Sequence, residues 1–269
     1  MTRAAAREAP RIRPPAVAGT FYPEDPVALA AMVDRALGAA PAGEPPPKAL
    51  IVPHAGYVYS GPIAGSGYAR LAPLRDVVRR VVLLGPAHRV RVAGLAVSSA
   101  DAFATPLGRV DLDRELRARV RELPGVQVHD AAHAREHSLE VQLPFLQRVL
   151  ARFTLLPLVV GDAEPAAVAA VLDAVWGGAE TLIVVSSDLS HYHDYDTAVR
   201  RDRATAAAVV ARAAERIDDD DACGARPLRG LLEATARRGL GVRLLDLRNS
   251  GDTAGPRDEV VGYGAFAVA

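Results

Sequence analysis

The chain is poor in cysteine and lysine, carries no excess of either charge, and has no long apolar run. Its single cysteine, Cys223, rules out an intramolecular disulfide and a four-cysteine zinc site, and a reducing compartment fits best. Lysine is confined to Lys48 beside abundant arginine, a compositional bias without functional meaning. Thirty-two basic and 32 acidic residues cancel to a formal charge of zero. The net balance therefore gives no sign of a nucleic-acid binder. No apolar run approaches the roughly 20 residues of a membrane helix, so no membrane partner is expected. The first residues, MTRAAAREAPRIRPP, lead into no apolar segment, which argues against a secretory signal. The stretch lacks Ser and contains a Glu, so a flexible tail over residues 1–12 of a cytoplasmic protein is preferred to a transit peptide. Phosphate loops ending in Gly-Lys-Ser/Thr, G-x-G-x-x-G fingerprints and G-x-S-x-G elbows are all missing, and with them the usual nucleotide and serine-hydrolase readings.

What is present is an ordinary globular composition, 50% hydrophobic and 24% charged, over 269 residues. That length suits one α/β domain, expected over 13–269. β-branched runs predict strands at Ala49–Val52, Val81–Leu84, Leu95–Ser98, Leu155–Val160, Leu182–Ser186, Val242–Leu247 and Val260–Val268. Helical spacing predicts helices over Pro26–Leu37, Leu112–Leu123, Pro165–Trp176, Thr197–Ile217 and Ala225–Arg238. One more is read through Leu139, Leu143, Leu146 and Leu150, which Pro144 should kink. Glycine-rich Gly56–Gly67 should pass close beside His54 and open a helix at Pro62. Ala39–Pro47 reads as a loop and Asp218–Asp221 as a turn. Together these predict a central, largely buried mixed sheet flanked by helices.

The histidines fall in a pattern. His54 follows ALIVP, His88 follows VVLLGPA, and His191 follows TLIVVSSDLS, each just past the carboxyl end of a predicted strand. Ligands of open α/β sheets bind in the crevice there. One such histidine would be unremarkable; three predict a shared site, with Asp188 and His193 close by. Imidazoles with a carboxylate suit iron, zinc, copper or nickel, and a thiolate favours softer metals. Asp188 or Glu136 could supply the oxygen, or Cys223 could replace it, although Cys223 reads equally well as a small buried hydrophobe. His54, His88, His191 and Cys223 should therefore converge, while His129 and His133 should be dispensable. His133-Ala-Arg-Glu136-His137 also matches the inverted zinc-protease pattern H-x-x-E-H. Five residues with three fixed make a weak signal. The nearer reading has Glu136 and His137 hydrogen-bonding to the strand-end site from behind.

Six blocks in order resemble the Memo family, whose prokaryotic members include AmmeMemoRadiSam system protein B. They are RPPAVAGTFYP (Arg13–Pro23), IVPHAGYVYSGPIAG (Ile51–Gly65), LLGPAH (Leu83–His88), EHSLEVQLPFL (Glu136–Leu146), SSDLSHY (Ser186–Tyr192) and Cys223–Gly224. The resemblance implies a fold like the class III extradiol dioxygenases, whose Fe(II) is held by two His and a Glu with a further His as acid/base. Carried over, it implies His54, His88 and Cys223 as metal ligands, Cys223 standing where the dioxygenases have Glu. It implies His191 as acid/base with Asp188 beside it. It further implies an iron or copper cofactor, an oxidoreductase role on a small-molecule or peptide ligand in the cleft, and a functional link to a radical SAM protein. A binding protein without turnover, using the same cleft, is the competing implication.

Overall fold

Apolar runs bounded by Pro, Gly and Ser build the centre of a nine-stranded mixed sheet. The structure, a computed structural model, describes residues 9–38 and 46–269. Residues 1–8 of the expected tail and 39–45 of the expected loop lie outside the described residues. In chain order the elements begin β1 (Ile12–Arg13), α1 (Pro26–Gly38), β2 (Ala49–Val52), α2 (Tyr57–Tyr68), β3 (Arg80–Pro86) and β4 (Leu95–Val97). They continue β5 (Ala102–Thr105), β6 (Gly108–Asp111), α3 (Arg114–Arg121), β7 (Val126–Val128), α4 (Asp130–Ala134), α5 (Leu143–Val149) and β8 (Thr154–Val160). The last are α6 (Pro165–Val175), β9 (Thr181–Ser186), β10 (His191–His193), α7 (Tyr195–Ala211), α8 (Ala225–Arg237), β11 (Val242–Asn249) and β12 (Val260–Val268).

The main sheet runs β10-β12-β2-β9-β3-β8-β4-β7, with β11 also paired to β12. β2, β9, β3 and β8 form a parallel block, flanked by antiparallel β12 and β4. Alternate residues feed two cores. Ala49, Ile51, Val82 and Leu84 pack with Leu172 and Leu231 on one face. Leu50, Val52, Val81 and Leu83 pack with Leu29, Tyr68 and Phe145 on the other. Burial on both faces is why these strands read as unbroken apolar runs. Each fully buried Leu or Val contributes about 1.5–3 kcal/mol relative to exposure.

Two prolines behave differently from expectation. Pro62 lies inside α2, which begins five residues earlier at Tyr57. The glycines serve helix packing here: a Cβ on Gly65 would lie 2.4 Å from the Ala36 carbonyl oxygen of α1. Pro144 opens α5 in its first turn, where its missing N–H costs nothing, and the preceding Glu140–Gln142 is a 3₁₀ turn. The helix expected over Thr197–Ile217 ends at Ala211, closed by left-handed Arg212. A small second sheet, β1-β5-β6, has no counterpart among the expected strands.

Candidate metal centre

β2, β9 and β3 are neighbours and parallel, so their carboxyl ends open onto one place. His54 leaves β2 after Pro53, His88 leaves β3 after Ala87, and Asp188 and His191 follow β9. Cys223 arrives from the loop before α8. With Phe21, His137, Tyr192, His193, Arg201, Asp219 and Asp220, they line one cavity of about 740 Å³.

Candidate ligand atoms of His54, His88 and Cys223 all lie within 4.8 Å of one another. Ligand bonds of about 2.0–2.3 Å place tetrahedral donors roughly 3.3–3.8 Å apart, so a small side-chain adjustment closes the set on an ion. His54 is buried, with Nδ1 2.8 Å from Ser186 Oγ and Nε2 3.2 Å from Cys223 Sγ. Burial and the neighbouring imidazoles push its pKa well below the usual value, keeping the ring neutral and able to donate a lone pair. The Cys223 thiol is pushed up by burial and by the Asp188 charge.

His88 is set by Glu136. One carboxylate oxygen accepts the His88 main-chain N–H at 2.7 Å, and the other lies 2.9 Å from ring Nδ1. The latter also accepts the main-chain N–H groups of His137 and Ser138, both at 2.9 Å. Burial alone would raise the Glu136 carboxyl; these hydrogen bonds hold it down, at about 2. Glu136, His88 and His137 also lie within metal-ligand reach of one another. Glu136 Oε1 already takes three of these contacts, and the carboxylate as placed orients His88. His137 stacks on His88 with ring centroids 4.6 Å apart, and burial lowers its pKa to about 4.

Asp188 is buried, and its carboxylate accepts the His54 main-chain N–H at 2.7 Å. Its bond therefore braces the loop of His54, a partner that the sequence reading had not paired with it. Burial raises its carboxyl to about 7, against the opposing His54 hydrogen bond. Burial lowers His191. His193 also lines the cavity, two residues beyond His191 on β10.

His133 points elsewhere. Its Nε2 lies 3.0 Å from the Ala96 carbonyl oxygen and its ring packs against Phe103. His133 and His137 thus face different surroundings, and the H-x-x-E-H arrangement does not form. Sequence reasoning missed a buried brace behind the site. Glu140 pairs with Arg13 and accepts Tyr22 Oη and the main-chain N–H groups of Ala16 and Val17. Arg13 in turn donates to the carbonyl oxygens of His133 and Glu136. Its only sequence signal was that both residues fall within the quoted blocks.

With that geometry in place, the family follows from comparison. The model of the Memo-like protein family matches residues 13–267. The chain belongs to the Memo-like family. A MEMO1 family protein of Aquifex aeolicus is 39% identical over 272 residues, covering 94% of this chain and 97% of the relative. A MEMO1 family protein of Sulfolobus acidocaldarius is 32% identical over 278 residues, with coverage of 94% and 97%. Among solved structures, an uncharacterized protein of Escherichia coli K12 has a TM-score of 0.52 at 13% identity, covering 81% of this chain and 98% of that one. That likeness concerns the Memo-like fold alone. Among the described residues no helix is long and apolar enough to cross a membrane.

Proposed function

We propose that this Memo-like chain is a non-haem metalloprotein in which His54, His88 and Cys223 hold iron(II), with copper as the alternative ion, and which acts in redox chemistry on a small ligand. The supporting observation is the meeting of two imidazoles and a thiol within 4.8 Å at the carboxyl ends of parallel strands. Two nitrogens and a sulfur suit a borderline-to-soft ion, and a reducing compartment such as the cytoplasm keeps the thiol available. The bound ion would supply redox and Lewis-acid chemistry at the positions these three residues leave free.

The remaining residues prepare the site. Glu136 orients His88, His137 stacks on that ring, and Asp188 braces the His54 loop. His191 and Asp188 take the proton-transfer roles, since both line the cavity and an imidazole and a buried carboxyl can each exchange a proton near neutrality. His193 supports them from the cavity lining.

Metal content after anaerobic purification tests the reading. About one equivalent of iron or copper is expected, and none in a His54→Ala/His88→Ala double variant. Stoichiometric zinc would overturn the redox role. Oxygen consumption by the iron-loaded protein, tried with candidate small molecules, then separates turnover from binding without turnover.

A further inference from the structure

Behind His54 runs a chain of buried polar groups that can point only one way. Tyr68, the last residue of α2, donates its hydroxyl to Gln142 Oε1 at 2.9 Å. Gln142 Nε2 donates to the Pro53 carbonyl oxygen at 2.9 Å and to Ser186 Oγ at 2.7 Å. Ser186, the last residue of β9, donates to the Ser138 carbonyl oxygen at 2.6 Å, and its Oγ lies 2.8 Å from His54 Nδ1. Tyr68, Gln142, Ser138 and Ser186 are all fully buried, so these groups depend on one another for hydrogen bonds.

Two carbonyl oxygens set the direction. A carbonyl only accepts, so the amide nitrogen of Gln142 must face Pro53 and its oxygen must face Tyr68. The single hydroxyl proton of Ser186 must likewise lie on the short contact to Ser138. Ser186 Oγ then has two lone pairs left. One accepts from Gln142 Nε2, and the other can only accept from His54. A neutral His54 therefore carries its proton on Nδ1, and Nε2 is left as an acceptor. The group it meets there is the Cys223 thiol, with Sγ 3.2 Å away, which can act as a weak donor. His88 meets a carboxylate at the same ring nitrogen, and an ionised carboxylate can only accept. A hydroxyl can do either, so His54 needs the chain behind it.

We infer that Gln142 and Ser186, with Tyr68 behind them, are positioning residues that fix His54 in the Nδ1–H tautomer and keep its Nε2 lone pair towards Cys223. The inference rests on the proposed metal reading only for the use of that lone pair; the tautomer belongs to the metal-free protein. Long-range proton–nitrogen NMR of metal-free protein labelled with nitrogen-15 histidine tests it at pH 7, with the His54 signals assigned by their loss in His54→Ala. The parent should show a protonated Nδ1 and an unprotonated Nε2. Ser186→Ala removes the acceptor and should shift His54 towards Nε2–H. Gln142→Met should free the Ser186 hydroxyl to donate to Nδ1 and give a mixture of tautomers. Thermal unfolding confirms that each variant is folded. Iron(II) affinity, read by chelator competition, should fall about 10–100-fold in Ser186→Ala, and unchanged affinity would strip the chain of its positioning role. A parent protonated at Nε2 would overturn the inference whatever the variants do. So would a His54 that keeps Nδ1–H in both folded variants. A parent with the Ser186-dependent Nδ1–H tautomer that takes up no metal would sink the metal reading and leave the tautomer assignment standing.

Discussion

Glu136 grips His88 at both ends of the residue, at the main-chain nitrogen and at ring Nδ1, 2.7 and 2.9 Å away. An ionised acceptor beside Nδ1 keeps the proton there and leaves Nε2 with its lone pair free.

Replacing Glu136 with Gln should therefore weaken metal binding about 10–100-fold, the usual cost of losing such an orienting carboxylate. Chelator competition measures it. Unchanged affinity would mean that His88 is not a ligand in need of orientation.

Metal binding should also release a proton from Cys223. Burial holds the thiol above its ordinary range, so it is protonated at pH 6–8, and affinity should climb about tenfold per pH unit if the thiolate is the ligand. Cys223→Ser should flatten that slope and weaken binding far more than folding, which should lose only about 1–3 kcal/mol. A slope that persists in Cys223→Ser assigns the proton to another group.

Acid sensitivity should come partly from His133, remote from the cavity. Burial lowers its pKa from 6.5 to about 4, so the folded state prefers the neutral ring. The associated stability is fully present above about pH 6.5 and is lost as pH falls towards 4, on the order of 1–3 kcal/mol. Urea unfolding at pH 7 and pH 5 should show a smaller difference for His133→Gln than for the parent chain, with metal affinity at pH 7 unaltered.

Breaking the buried Arg13–Glu140 pair should be costly. Glu140→Gln leaves a buried guanidinium without its charge partner, and a loss of about 3–5 kcal/mol is expected in denaturant unfolding. Arg13→Met combined with Glu140→Gln should recover part of it. Additive losses would show that the two residues act independently.

The strands of the parallel block were legible because burial on both faces leaves an uninterrupted β-branched signature, as in Val81–Leu84 and Leu182–Ser186. The histidines could be placed because each sits directly past such a run. β5 and β6 escaped notice because they are four residues each and β6 is mostly exposed, so they offer no long apolar run to read. Pro62 and Pro144 misled for the same reason: a proline announces a constraint on backbone geometry, and only neighbouring packing decides whether it begins, interrupts or sits within a helix. The placement of Glu136 and His137 beside His88 was legible as a group behind it, but the choice between His133 and His137 was not. That choice depends on which ring meets Ala96 and which meets His88.

His54 and Cys223, 3.2 Å apart in space, are separated by 169 residues of chain. Bringing such distant donors together in an unfolded polypeptide carries a loop-closure penalty that one ion must overcome, so the denatured chain is a poor chelator. A ribosome-bound nascent chain holds His54 and His88 long before Cys223 has been made. Any metal site built from all three donors is thus deferred until Cys223 has left the ribosome. An ion held by the proposed set would therefore meet a folded protein and not a growing chain.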